Sequence, residues 1–221
     1  MPDIDEKSNL DEGYVKMLLP AGCVNYCPNW LQSTAADELL TDLKQDLDWQ
    51  SRTIKMFGRE LLQPRLICFQ GEKSVKYRYS GGDYVAQTWH PAVAVVRNAL
   101  RVLVESSNFN QNFDPMKPEL KPIFNSVLIN LYRDGQDSMG WHSDDERELG
   151  KNPLISSISL GQERRFSFRN KATKQRFDML PAHGSLILMA GDLQHHWQHQ
   201  LPKSRKTMGA RINLTFRTIR S

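Results

Sequence analysis

Cysteine is scarce in this chain: Cys23, Cys27 and Cys68 are the only three in 221 residues. An odd count that small excludes a disulfide framework and fits a reducing compartment. Cys23 and Cys27 could contribute to a metal site, but no second Cys/His pair lies near them in sequence. Long apolar runs are missing too, and none approaches the ~18 residues that a membrane-spanning helix needs. The start, "MPDIDEKSNLDEG", lacks the basic and apolar regions of a secretion signal. A cytoplasmic protein is expected, or a nuclear one if the source is eukaryotic, with no membrane partner.

The composition is that of an ordinary globular chain, with 39% hydrophobic and 24% charged residues. Its length suits one large domain with a single core. Charge is distributed unevenly. Residues 1–12 carry five acids and one lysine, a net −4 against +4 for the whole chain, so the remainder holds +8. A basic folded part favours a polyanionic partner, because Lys and Arg that neutralise phosphates release counterions.

Residues 1–22 show no apolar periodicity and read as a mobile acidic tail, leaving 23–221 as the domain. From Ser33 or Thr34, either able to cap, "TAADELLTDLKQDLDW" places Leu39, Leu40, Leu43 and Leu47 on one stripe with acids in the first turn. A second helix is predicted in "HPAVAVVRNALRVLVESS", with Pro91 at its first turn. Beyond Phe124 the texture changes to short β-prone runs: "FNSVLINLY", "LISSISL", "RRFSFRN", "QRFDML", "GSLILMA" and "RINLTFRTI". Six such runs without long intervening helices predict a sandwich, jelly roll or barrel with the helices packed outside it.

Two patterns carry chemistry. In "WHSDDE", His142 and Asp144 stand two apart, which on a strand or extended loop sends both side chains to one side. Two histidines and one carboxylate are the facial triad of non-haem Fe(II) oxygenases, with positions left open on the metal. The second histidine has three candidates, His195, His196 and His199 in "LQHHWQH", and spacing does not choose among them. In "RINLTFR", Arg211, Asn213, Thr215 and Arg217 share one strand face. Two arginines on such a face either meet water or bind an anion, and a small diacid lying along the strand matches their two-pronged donors. Asn130 and Tyr132 in "VLINLY" repeat the alternate polar placement.

Taken together, His142-x-Asp144, the distal histidine and Arg211 to Arg217 resemble the AlkB family of Fe(II)- and 2-oxoglutarate-dependent dioxygenases, and in particular the branch that repairs double-stranded DNA. "NSVLINLYRDGQDSMGWHSDDERELG", "FSFRNK", "HGSLILMAGDLQHHWQHQLPKS" and "ARINLTFR" recur there in this order. The match is tight over Phe124 to Arg217 and looser over Arg52 to Gly81. It implies an α+β fold: a double-stranded β-helix, or jelly roll, with N-terminal helices packed outside and a substrate-binding hairpin lid. Residues 23–120 would supply the helices and lid, and 121–221 the β core with the iron and 2-oxoglutarate sites.

The resemblance also assigns roles. His142, Asp144 and His199 would hold Fe(II), which leaves His195 and His196 near the site or on the surface. Arg211 would face the metal-end carboxylate of 2-oxoglutarate and Arg217 the far one, with Asn130, Tyr132 and Asn213 completing the pocket and O2 as co-substrate. Asp145 and Glu146 would shape the base pocket. Phe57 in "KMFGRE" would be a wedge in the duplex, Tyr77 and Tyr79 would line the base pocket, and Arg65 would support the finger or touch the lesion strand. Apart from the resemblance, the basic residues Lys171, Lys174, Lys203, Arg205 and Lys206 are candidates for phosphate contacts, with solvated surface charge as the alternative reading.

The activity so implied is oxidative demethylation of N1-methyladenine and N3-methylcytosine with release of formaldehyde, a direct reversal of DNA damage on double-stranded and single-stranded DNA. A monomer without an obligate protein partner is expected. Other readings are a demethylase of methylated RNA, a nucleic-acid-binding module without catalysis, and a hydroxylase of protein side chains.

Overall fold

The computed structural model describes residues 15–19, 22–56, 59–73, 75–79, 82–105 and 123–220. Eight strands build the centre: β8 (Ser126–Tyr132), β9 (Met139–His142), β10 (Ile155–Gly161), β11 (Phe166–Asn170), β12 (Arg176–Met179), β13 (Ser185–Ala190), β14 (Trp197–Leu201) and β15 (Arg211–Arg217). They divide between two antiparallel sheets, with β8, β10, β13 and β15 in one and β9, β11, β12 and β14 in the other. This is the jelly roll. β1 (Val15–Leu19), β2 (Gly22–Cys27) and β5 (Leu66–Gly71) widen the first sheet to seven strands, in the order β1-β2-β13-β10-β15-β8-β5. The other runs β12-β11-β14-β9.

The larger sheet is buried on both faces, which explains the near-continuous burial of β8, β13 and β15. On its outer face lie α1 (Ser33–Asp46) and α2 (Pro91–Glu105). Leu39 and Leu43 of α1 and Val93, Val96, Leu100 and Val104 of α2 pack there against Ile129, Ile158, Leu188, Leu214 and Phe216. Its inner face packs on the smaller sheet through Leu128, Ile155, Ile187 and Met189 against Phe168 and Trp197. The expected single core is therefore two layers, one on each side of the large sheet.

Two further expectations change. The predicted tail does not reach residue 22, because Val15–Leu19 pairs with β2 from Val15↔Tyr26 to Leu19↔Gly22. A strand at the sheet edge needs no long apolar run, so the sequence offered little sign of it. Helix α1 begins at Ser33 with Gln32 as its N-cap and no side-chain cap bond, so neither Ser33 nor Thr34 caps it, and no acid falls in its first turn. Cys23 and Cys27 are buried in β2 and join no cluster of metal-ligating groups among the described residues.

Between the helices lie two hairpins, β3 (Thr53–Met56) with β4 (Arg59–Leu62), and β6 (Lys76–Tyr79) with β7 (Gly82–Val85). They are the hairpin region expected above. Phe57 lies outside the described residues, between β3 and β4. Tyr77 and Tyr79 stand two apart on β6 and so on one face of that hairpin; their side chains lie outside what is described.

Candidate metal and 2-oxo-acid site

The end of β9, the loop after it and β14 bring the three expected metal ligands together. His142 and His199 are register partners across the β9–β14 ladder, with a bulge just beyond His199. Their rings lie 4.2 Å apart between centroids. Ligand atoms of His142, Asp144 and His199 all fall within 4.8 Å of one another, the one such cluster among the described residues. His142 Nδ1 is 2.8 Å from the Gly140 carbonyl, so as the N–H tautomer it donates there and presents Nε2 as the ligand nitrogen. Nε2 of His199 is 3.9 Å from Asp144 Oδ2, and that carboxylate oxygen is buried without a hydrogen-bond partner.

The electrostatics suit a cation. Burial pushes His199 down to about 3, reinforced by the neighbouring His142, so its imidazole is neutral near pH 7. His142 is lowered as well, mainly by burial, against the pull of Asp144. Burial pushes Asp144 up, yet Arg217 and the two histidines outweigh it and hold the carboxyl below its usual range. Two neutral imidazoles and one carboxylate with an unfilled oxygen are the donor set of a divalent transition metal. The residues present fit Fe(II).

The face of β15 is polar inside the protein. Arg211, Asn213, Thr215 and Arg217 line a cleft of about 460 Å³, its open mouth included, together with Asn130, Tyr132 and the metal-ligand cluster. Arg211 is 3% exposed, donates from Nη2 to Ser159 Oγ at 2.9 Å and lies 5.6 Å from the centre of the Tyr132 ring. Its Nε is buried with no hydrogen-bond partner, and among the described residues no carboxylate pairs with it. Burial lowers it to about 10. A buried guanidinium without a counter-ion is a receptor for an anion, and a carboxylate of 2-oxoglutarate fits it.

The two arginines stand in the reverse of the expected order. Arg217 Nη2 donates to Asp144 Oδ1 at 2.7 Å, so Arg217 is at the metal end and Arg211 at the far end. The alternation on β15 shows which residues share a face but not which end of the strand meets the β9 loop. Asn213 lines the cleft with its amide already engaged: Nδ2 donates to Ser157 Oγ at 2.8 Å and to the Ile158 carbonyl at 2.9 Å, and Oδ1 accepts from Thr215 at 3.0 Å.

Other expected residues are distributed as follows. Arg65 is not on the surface; it is 4% exposed and its Nε donates to Asn130 Oδ1 at 2.8 Å, which places it behind the cleft wall. Asp145 pairs with Lys171 at 3.1 Å, so this lysine already has a carboxylate partner. Lys174, Lys203, Arg205 and Lys206 are exposed. Glu146 is partly buried, and His195 and His196 are exposed in the short helix α3 (Leu193–His196), outside the cleft. The sequence reading gave no part to Ser157, Ser159 or Gln194. Strand β14 was not predicted; its signal is the alternation of "WQHQL", where Trp197, His199 and Leu201 point inward, which reads as a strand only if the histidine is counted as an inward residue.

Fold and site together define a mononuclear-metal oxygenase with an anion pocket beside the metal. The model of the 2OG-Fe(II) oxygenase superfamily matches residues 23–217. The human protein named alpha-ketoglutarate-dependent dioxygenase alkB homolog 3 is 34% identical over 218 residues, covering 93% of this chain and 70% of its own. Human DNA oxidative demethylase ALKBH2 is 32% identical over 195 residues, covering 83% of this chain and 69% of its own. Among solved structures, "The structure of OsALKBH1" superposes with a TM-score of 0.60 at 18% identity over 90% of this chain and 99% of that one. A Pseudomonas putida prolyl-4-hydroxylase gives 0.54 at 14% over 90% and 92%, a likeness of fold. The chain belongs to the AlkB family of 2OG-Fe(II) oxygenases. Its cofactors are Fe(II) and 2-oxoglutarate, with O2 as co-substrate.

Proposed function

We propose that this protein reverses alkylation of DNA bases by oxidation, acting on N1-methyladenine and N3-methylcytosine in duplex and single-stranded DNA. The observation that carries the reading is the metal cluster joined to an unpaired buried arginine on one cleft, in a chain about one third identical to a protein named a DNA oxidative demethylase. Fe(II) bound by His142, Asp144 and His199 would supply, with 2-oxoglutarate and O2, the oxidation of an N-methyl group, whose hydroxymethyl product leaves as formaldehyde.

The chain's own residues bind and orient. Arg211, beside Tyr132, would bind the far carboxylate of 2-oxoglutarate, and Asn130 would border its path. Arg217 would stand near the metal-end carboxylate while holding Asp144. Arg65, joined to Asn130, stiffens this wall, and its charge acts on His142. A base must leave the stack to reach buried ligands, at a cost of a few kcal/mol. Asp145 and Glu146 follow Asp144 directly and would meet its exocyclic amine and positive charge; Phe57 would fill the gap left behind. Tyr77 and Tyr79 would line the base pocket, and Lys174, Lys203, Arg205 and Lys206 would offer charge to phosphates. A monomer in the cytoplasm or nucleus suits this reading.

The test is anaerobic loading with Fe(II) and 2-oxoglutarate, then oxygen, with a duplex carrying one N1-methyladenine followed by mass spectrometry beside a His142→Ala control. Loss of one methyl mass with formation of succinate, absent from the control, is expected. Turnover of 2-oxoglutarate with demethylation of RNA but no DNA would move the substrate to RNA and overturn the proposal.

A further inference from the structure

Gln194 is an amide only 1% exposed, in α3, and it does not line the cleft. Its Oε1 accepts the backbone N–H of Asp144 at 2.9 Å. Its Nε2 faces the Met189 sulfur at 3.8 Å, a weak acceptor. The amide has one sensible orientation, because a flipped Nε2 would confront the Asp144 N–H donor to donor. Neighbouring ties run alongside. Ser143 Oγ donates to the Trp197 carbonyl at 2.9 Å, while Lys171 Nζ bridges the Gln194 carbonyl at 3.0 Å and Asp145 Oδ2 at 3.1 Å. Three successive residues of the ligand loop are thereby tied to the segment that leads into His199.

Asp144 has a competing claim on it. An arginine fork can take both oxygens of a carboxylate, and Arg217 already takes Oδ1. If the backbone of Asp144 turned, Oδ2 would swing away from His199 toward the guanidinium. We propose that Gln194 is a positioning residue: by fixing the Asp144 peptide it keeps Oδ2 aimed at the histidine pair, and so sets the affinity of the site for its metal. Groups behind a ligand typically change metal affinity about 10- to 100-fold when removed. Gly22 makes room for this arrangement, since a Cβ there would lie 2.8 Å from the Leu193 backbone at the start of α3.

The inference rests on His142, Asp144 and His199 as the metal ligands. Co(II) titration of the full-length apo protein, followed by its visible absorption, tests it. Gln194→Met, of similar length but with only a weak thioether acceptor in place of the amide oxygen, is expected to weaken Co(II) binding about tenfold and alter the ligand-field spectrum. Binding of 2-oxoglutarate at saturating Co(II) should stay within about twofold, since Gln194 lies off the cleft. Gln194→Asn, whose amide falls one methylene short, should weaken it similarly and serves if the Met variant does not fold. Gln194→Glu keeps an acceptor at the same reach and should retain the affinity. Unchanged affinity and spectrum in the Met and Asn variants would overturn the proposal, as would equal weakening in all three. His142→Ala keeps the two failures apart: if it bound Co(II) like the parent, the ligand assignment itself would fall.

Discussion

Arg217 and Asp144 meet at 2.7 Å with side chains 4% and 1% exposed. Removing one member of a buried pair leaves the other charge without compensation, at a cost of about 3–5 kcal/mol. Arg217→Met should therefore lower stability by about that much in the apo protein. Added Co(II) should recover part of the loss, because the ion also neutralises Asp144. Urea unfolding with and without Co(II) gives the answer; an apo variant as stable as the parent would show the pair to be energetically idle.

Arg211 is the test of the anion pocket. Losing one member of a buried, hydrogen-bonded charge pair costs at least ~2 kcal/mol, equivalent to about thirtyfold in affinity. Arg211→Gln should weaken 2-oxoglutarate by that factor or more while leaving Co(II) affinity unchanged, since Arg211 is at the other end of the cleft from Asp144. Calorimetry of each ligand separates the two effects.

Lys171 and Asp145 are 33% and 47% exposed, so their pairing contributes under ~1 kcal/mol to stability. The consequence lies in specificity. A cationic base that approaches Asp145 competes with the ammonium group of Lys171. Lys171→Ala should shift the ratio of kcat/KM toward a cationic lesion such as N1-methyladenine over a neutral one such as N3-methylthymine. A ratio that stays put would detach Asp145 from base recognition.

Acid sensitivity has one local source in the turn after β8. Burial pushes Asp137 up, but the Arg133 side chain and backbone N–H outweigh it and hold the carboxyl below its usual value. A carboxylate with a lowered folded pKa lends stability that is complete above its unfolded value, near 3.9, and is lost as pH falls through the folded one. Asp137→Asn should flatten the decline in stability below about pH 4. If the slope there matched the parent, the pair would not be a source of acid unfolding.

Six of the eight core strands and both helices were legible because their signals are local: alternation in "RINLTFR" and a helical stripe in "AVAVVRNAL" survive without knowledge of neighbours, whereas the short β9 and β14 lay outside the predicted runs. His142 and Asp144 announced themselves by adjacency. The distal ligand did not, since His195, His196 and His199 differ only in whether they precede or enter β14, and family resemblance decided among them. Gln194 and Ser159 left no trace because each acts through one contact with a residue more than 45 positions away. The order of Arg211 and Arg217 was misread for a related reason, the direction of β15 against the β9 loop being a property of the assembled sheets.

The pairing of His142 with His199 makes the metal centre a gauge of strand registry. Side chains alternate between faces, so a slip of β14 by a single position would turn His199 outward and bring Gln198 or Gln200 to the cleft. The bulge beyond His199 pins that alignment at the place where an error would be most costly. A one-residue insertion at the junction of α3 and β14, or a deletion within β14 ahead of His199, would thus abolish metal loading in a chain whose composition had barely changed.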